Sequence, residues 1–172
     1  GIVNNENYQV VFSDTPGIIK PSYKLQESMM GFVEAAFLDA DLFLFLTEAN
    51  DREYEDRLIQ KIIRSNIPVI IVINKIDLVD QESLEMAVAY WEEKIPESTI
   101  LPVSALHNAH IDILFRTILG KLPEGPAYFD KEQLTDKTER FFVSELIREQ
   151  ILQKFKKEIP YSVEIETESF EE

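Results

Sequence analysis

The 172-residue sequence predicts an α/β protein, a parallel sheet with helices on both faces, followed by the opening of a second, α+β unit. Three observations predict it. Leu42-Phe43-Leu44-Phe45-Leu46 and Val69-Ile70-Ile71-Val72-Ile73 are short, continuous apolar runs ended by polar residues. Such runs, rich in β-branched and aromatic side chains, are typical of parallel strands buried on both faces. Stretches of helical length and period lie between them, and the regular alternation of the two requires a three-layer arrangement.

In chain order, residues 8–13 (Tyr-Gln-Val-Val-Phe-Ser) read as a strand, with a partner at 1–4 across an Asn/Glu-rich turn. A helix is expected at 25–38 and a strand at 42–47. The next helix is expected at 53–65, where Leu58, Ile59, Ile62 and Ile63 have amphipathic spacing and Asp51 can cap the start. A strand at 69–73, a helix at 81–94, a weaker strand at 99–103 and a helix at 111–119 complete the sheet domain, residues 1–121. Leu122-Pro123-Glu124-Gly125-Pro126 is a breaker cluster, and residues 122–137 read as a linker. From 138 to 172 the chain opens a second domain. A long helix at 139–157 is expected, with Asp136 and Glu139 at its start, then Pro160 and an alternating strand at 161–166. One helix and one strand cannot close a core.

Composition limits what the chain can do. With 45% hydrophobic and 28% charged residues it is neither disordered nor membrane-like, and no apolar run approaches the roughly 18–20 residues of a spanning helix. No secretory signal pattern opens the sequence. The absence of cysteine excludes a disulfide framework, a thiol nucleophile and cysteine-bound metal, and agrees with the cytoplasmic location expected here. Thirty-two acidic residues against 17 Lys and Arg give a net charge of −15, which repels polyanions at long range.

Three motifs carry chemistry. Asn74-Lys75-Ile76-Asp77 follows a predicted parallel strand, where open α/β sheets bind ligands. A guanine edge presents O6 and N7 as acceptors and an exocyclic amine as donor, beside the ring N1–H. One carboxylate, that of Asp77, can accept from both donors, which adenine cannot supply. The Asn74 amide can serve the N7 side and tether neighbouring loops, and the Lys75 stem can lie over the base. Asp14-Thr15-Pro16-Gly17 ends the earlier strand. There Asp14 can hold Mg²⁺, through water, while Gly17 lets its backbone N–H approach a terminal phosphate. Alone, that tetrad is also ordinary turn chemistry. Ser104-Ala105-Leu106 follows the weaker strand and can offer a backbone N–H to guanine O6.

The order Asp-x-Pro-Gly, Asn-Lys-x-Asp, Ser-Ala-x, each after a strand, resembles the translation-factor-related branch of the P-loop GTPases. With the segment from Thr135 through Glu139-Arg140-Phe141-Phe142-Val143-Ser144-Glu145-Leu146 to Pro160-Tyr161-Ser162-Val163, the whole chain is similar to the Era family of bacterial ribosome-assembly GTPases. The related Der family shares the nucleotide motifs but not this helix-and-strand start. The resemblance implies a Ras-like sheet lacking its first strand, followed by the start of a KH domain. It implies GTP or GDP with Mg²⁺ for the parent protein, and a role in 30S assembly with small-subunit ribosomal RNA as partner. It also allows peripheral membrane association of the parent.

The departures carry equal weight. A phosphate-cradling loop needs Gly-x₄-Gly-Lys-Ser/Thr. Gly120 and Gly125 have the first spacing, but Pro126-Ala127 follow. No switch threonine lies upstream of Asp14, and no later pair of glycines has the Gly-x-x-Gly spacing that clamps RNA in KH domains. The chain therefore reads as an internal piece with little activity of its own. The alternative is a non-catalytic pseudo-GTPase or an RNA- or protein-binding module. In the Ras-like strand order the absent strand falls between 8–13 and 42–47, so these two are expected to pair directly or to have the gap filled by another molecule. Ile18 stands where Ras-type enzymes place a water-orienting Gln, and no general base is assigned.

Other conspicuous residues have plainer explanations. His107 and His110 lack a third metal ligand and are expected to be solvated. Phe141, Phe142 and Phe155 are expected in a core. Arg148, Lys154, Lys156 and Lys157 suit a helix C-terminus, and the acidic tail opposes phosphate contact.

Overall fold

The computed structural model describes residues 1–15, 39–51, 54, 56–133, 135, 137–154 and 165. The predicted helix 25–38 and, apart from Ile165, the predicted strand 161–166 lie outside these. So do Pro16, Gly17, Ile18, Asp136, Phe155, Lys156 and Lys157.

Two compact units are present: Gly1–Phe12 with Ala127–Glu172, and Ser13–Pro126. The second holds a parallel sheet of order β3-β4-β5, formed by Phe43–Glu48, Val69–Asn74 and Thr99–Pro102. Phe43 registers with Val69 and Glu48 with Asn74, while Ile70 registers with Thr99 and Ile73 with Pro102. The carboxyl ends of all three strands thus reach the same edge. β4 is central, and Val69 to Ile73 are buried without interruption, Ile70, Ile71 and Ile73 completely. That is why its apolar residues do not alternate: both faces of this central strand are covered.

One face is filled by a cluster including Phe45, Ile59, Ile62, Ile71, Ile73, Ala87 and Trp91. Ile59 and Ile62 come from α1, Asp56–Arg64, and the latter pair from α2, Gln81–Lys94. Trp91 sits 4.9 Å from the Phe45 ring and 5.3 Å from that of Tyr54, spacings at which tilted aromatic pairs attract. Asp80 caps α2, accepting from the Ser83 N–H at 2.8 Å. α3, Ile111–Lys121, follows β5 and buries Ile118.

Three expectations are corrected here. Leu46 is 64% exposed, because burial alternates along the end of β3: Phe45 and Thr47 lie on the covered face, Leu46 and Glu48 on the open one. Asp51 does not cap α1, which begins at Asp56; its carboxylate instead accepts from the Tyr54 hydroxyl at 2.9 Å. Direct pairing of the strands at 8–13 and 42–47 is the third, for among the described residues they belong to separate sheets.

The first unit contains an antiparallel hairpin, β1 (Ile2–Asn4) with β2 (Gln9–Val11), turned by Asn5 N–H donating to Tyr8 O at 2.9 Å. Composition divides the chain near residue 121, whereas contacts group residues 1–12 with the C-terminal stretch. The reason is polar. Gln9 Nε2 donates to Phe129 O, Gln9 Oε1 accepts from the N–H groups of Tyr128 and Phe129, and Asn4 Nδ2 donates to Gln133 O, all at 2.8–2.9 Å. α4, Glu139–Lys154, is opened by Thr138, whose hydroxyl accepts from the Phe141 N–H at 3.4 Å. Phe141 and Phe142 are 43% and 45% exposed, not core residues. They meet edge to face at 5.7 Å, since among the described residues α4 buries no side chain.

Candidate functional site

The site is assembled where β4 and β5 end. Asn74 closes β4, and Lys75 then turns the backbone with φ 60° and ψ 37°. A lysine in this left-handed region costs about 1 kcal/mol or more. The turn leads into a short 3-10 helix, Ile76–Leu78, whose start is held by Ile76 N–H donating to Val103 O at 3.2 Å. Val103 N–H donates to Ile73 O at 2.8 Å, so the ends of β4 and β5 are stitched together.

The loop after β5 is closed by reciprocal hydrogen bonds between Ser104 and Ala109, at 2.9 and 3.2 Å. Two side-chain bonds then join the loops. Asn74 Oδ1 accepts from the Ala105 N–H at 3.0 Å. This consumes the acceptor end of the amide and leaves Nδ2, the donor end, for a ligand. The buried Ser104 hydroxyl donates to Asp77 Oδ1 and accepts from the His107 N–H at 3.3 Å.

Electrostatics reinforce the geometry. The Ser104 hydrogen bond holds the Asp77 carboxyl below its usual range, against a desolvation that opposes it. The positive fields of His107 and Lys75 add to the lowering. Asp77 is therefore an ionised acceptor at neutral pH. Lys75 Nζ pairs with Glu48 Oε1 at the end of β3. His107 Nε2 stands 3.7 Å from Asp77 Oδ2. His110 donates from Nδ1 to Pro102 O at 2.9 Å.

The structure thus brings together Asn74, Lys75, Asp77, Ser104 and Ala105, with Leu106 strongly exposed on the rim. Asp14 and Thr15 are exposed in the loop after β2, and among the described residues no hydrogen bond joins them to the Asn74–Asp77 turn. Pro16 and Gly17 lie outside the described residues. Two neighbours were missed from sequence, Glu48 and His107. Glu48 ends an apolar run and His107 follows Ser-Ala-Leu, but neither position announces a partner. No trio of His, Asp or Glu suited to a metal ion occurs among the described residues. A lone exposed carboxylate, Asp14, fits Mg²⁺ only in its usual form, held mostly by water and phosphate.

Comparison with known proteins supplies the family. Residues 2–124 match the family described as the elongation factor Tu GTP binding domain. The chain belongs to that family. Along its whole length it also resembles proteins named GTPase Era, 35% identical in Ruminiclostridium cellulolyticum and 40% in Geotalea uraniireducens. It spans 58% and 59% of those two relatives. A crystal structure of Era with MgGDPNP and nucleotides 1506–1542 of 16S ribosomal RNA superposes with TM-score 0.83 and 36% identity, over 94% of this chain and 56% of that one. A variant of Aquifex aeolicus Era bound to GDP and AlF₄⁻ gives 0.84 at 35%, with the same coverage. The P-loop GTPase sheet predicted from sequence is thereby established. Among the described residues no helix is long and apolar enough to cross a membrane.

Proposed function

We propose that this chain carries the guanine-reading half of an Era-type GTP-binding protein. The observation that supports it most is the joining of Asn74 to Ala105 and of Asp77 to Ser104, across the ends of two parallel strands. Asp77 would accept from guanine N1–H and the exocyclic amine, and Asn74 Nδ2 would donate to N7. The donor to O6, expected from Ser104-Ala105-Leu106, narrows to one of the three. Ala105 N–H already serves Asn74 and Ser104 N–H serves Ala109, so the Leu106 N–H is the member of that tripeptide left to take O6.

The remaining assignments follow from family membership and likeness. Asp14 would hold Mg²⁺ through water, and Gly17 would approach the terminal phosphate. Mg²⁺, when bound with nucleotide, neutralises charge on the phosphates. Hydrolysis of GTP, small-subunit ribosomal RNA as partner and a role in 30S assembly are proposed for the parent protein. Residues 1–121 are its GTPase part, 122–137 a linker and 138–172 the start of a KH domain. The sequence contains no Gly-x₄-Gly-Lys-Ser/Thr phosphate cradle, so little activity is proposed for this chain by itself.

The test is a titration of the chain with GDP and with ADP, repeated on Asp77→Asn. Millimolar binding that prefers guanine is expected. The variant should shift preference to xanthosine diphosphate, whose second carbonyl accepts from the new amide. Equal binding of GDP and ADP, or an unchanged preference in the variant, refutes the assignment.

A further inference from the structure

Glycine would hold the turn after β4 without strain, yet the residue at φ 60° is Lys75. What lysine adds at that position is its side chain, and the structure shows where that side chain ends. Nζ pairs with Glu48 Oε1, on the last residue of β3. The register of the sheet arranges this meeting, for Glu48 lies beside Asn74, the residue that precedes Lys75. Glu48 is itself held. Its carbonyl accepts from the Asp51 N–H at 3.1 Å and from the Thr47 hydroxyl at 3.2 Å. The Thr47 hydroxyl, on a buried side chain, accepts in turn from the Tyr54 hydroxyl at 2.7 Å. The backbone that carries the carboxylate is therefore fixed, whereas the paired Lys75 and Glu48 side chains are 52% and 51% exposed. An ion pair so exposed adds little to stability. Its effect is on position: the lysine stem runs from the turn after β4 to the end of β3.

On this basis, and resting on the guanine assignment above, we propose that Glu48 is a positioning residue of the base site: it tethers the Lys75 ammonium so that the lysine stem is arranged in advance to lie against the base. A lysine side chain is flexible and loses rotamer freedom when a ligand packs on it. A stem anchored at both ends has given up that freedom before the ligand arrives, so less is lost on binding. The contact is one of methylene groups with a ring face, which guanine and adenine share. Glu48 therefore raises affinity without selecting the base, a choice that stays with Asp77.

The experiment titrates the full chain with GDP and with ADP, in wild type, Glu48→Ala, Lys75→Ala and the double variant. Glu48→Ala should weaken GDP binding about two- to fivefold, the range of an exposed ion pair, with the GDP-to-ADP ratio unchanged. Loss of a negative charge by itself favours an anionic ligand, so a weakening cannot come from charge alone. In the Lys75→Ala background the same substitution should weaken nothing, because Glu48 acts through the lysine. Guanine-selective binding that Glu48→Ala leaves unchanged or tightens, or weakens equally in both backgrounds, overturns the positioning role and leaves the guanine assignment standing. No preference for GDP over ADP in wild type overturns both. A second measurement reads the stem directly. The Lys75 methylene protons, followed by NMR, should move upfield in the ring current of bound GDP, and by less at saturation in Glu48→Ala. No shift in wild type, or an equal shift in the two proteins, overturns the proposal.

Discussion

Replacing Asn74 with Ala removes one of the two side-chain bonds that tie the turn after β4 to the loop after β5, the 3.0 Å contact from Ala105 N–H to Oδ1, and leaves the Ser104–Asp77 bond in place. The residues are 31 apart in sequence, so the bond adds a long-range restraint to those that Ser104–Asp77 and Ile76–Val103 already supply. A net hydrogen bond of this kind contributes about 1 kcal/mol. The freed N–H is exposed and regains water, which keeps the loss near that figure. At a slope of about 2 kcal/mol per molar urea, the unfolding midpoint should drop by about 0.5 M. The assay is intrinsic fluorescence, because the sole tryptophan, Trp91, is 1% exposed in the core of this unit. Asn74→Asp is the informative partner. It keeps an acceptor for Ala105 N–H but loses the amide donor and sets a second carboxylate near Asp77. Its midpoint should stay closer to wild type than that of Asn74→Ala, while guanine binding is lost in both. If Asn74→Ala unfolds at the wild-type urea concentration, the tether does not hold the loops and the geometry of the site has another origin.

Ile71→Ala, at a position fully buried in the central strand, should cost about 2–5 kcal/mol and lower the urea midpoint more than any loop variant; a loss below 1 kcal/mol would place the core elsewhere. Tyr54 is pushed up to about 12, mainly by burial, while an unfolded tyrosine ionises near pH 10. Its contribution to stability is whole below pH 10 and lost as pH rises toward 12, and Tyr54→Phe should remove the most alkaline component of the phenolate absorbance titration. Asp80 is held below its usual range chiefly by the Ser83 side chain and then by the Ser83 N–H. Its contribution is present above the unfolded value of about 3.9 and is lost as pH falls through the lower folded value. Asp80→Asn should flatten the acid limb of a stability profile measured by α2 helicity.

Much of this protein was legible without coordinates. The uninterrupted run Val69 to Ile73 specified a strand covered on both faces, and the segment 81–94 specified its helix to the residue, because period and capping are local properties. Asn74, Asp77 and Ser104 were recognisable as a set because each motif follows a strand, and parallel strands deliver their carboxyl ends to one edge. What the sequence could not settle was pairing. Leu46 looks like core until burial is seen to alternate along its strand, with Phe45 and Thr47 covered and Leu46 on the open face. Phe141 and Phe142 have apolar character but no described surface to bury against. Ala105 N–H looks available to a ligand until Asn74 is found to accept from it. Glu48 reaches Lys75 because the β3–β4 register sets Glu48 beside Asn74, and His107 reaches Asp77 because a six-residue loop is closed at Ser104 and Ala109. Residue type and spacing determine which groups are offered at a strand end. Register and a left-handed turn decide which of them meet, since those contacts join residues tens of positions apart and no local pattern encodes the distance between them.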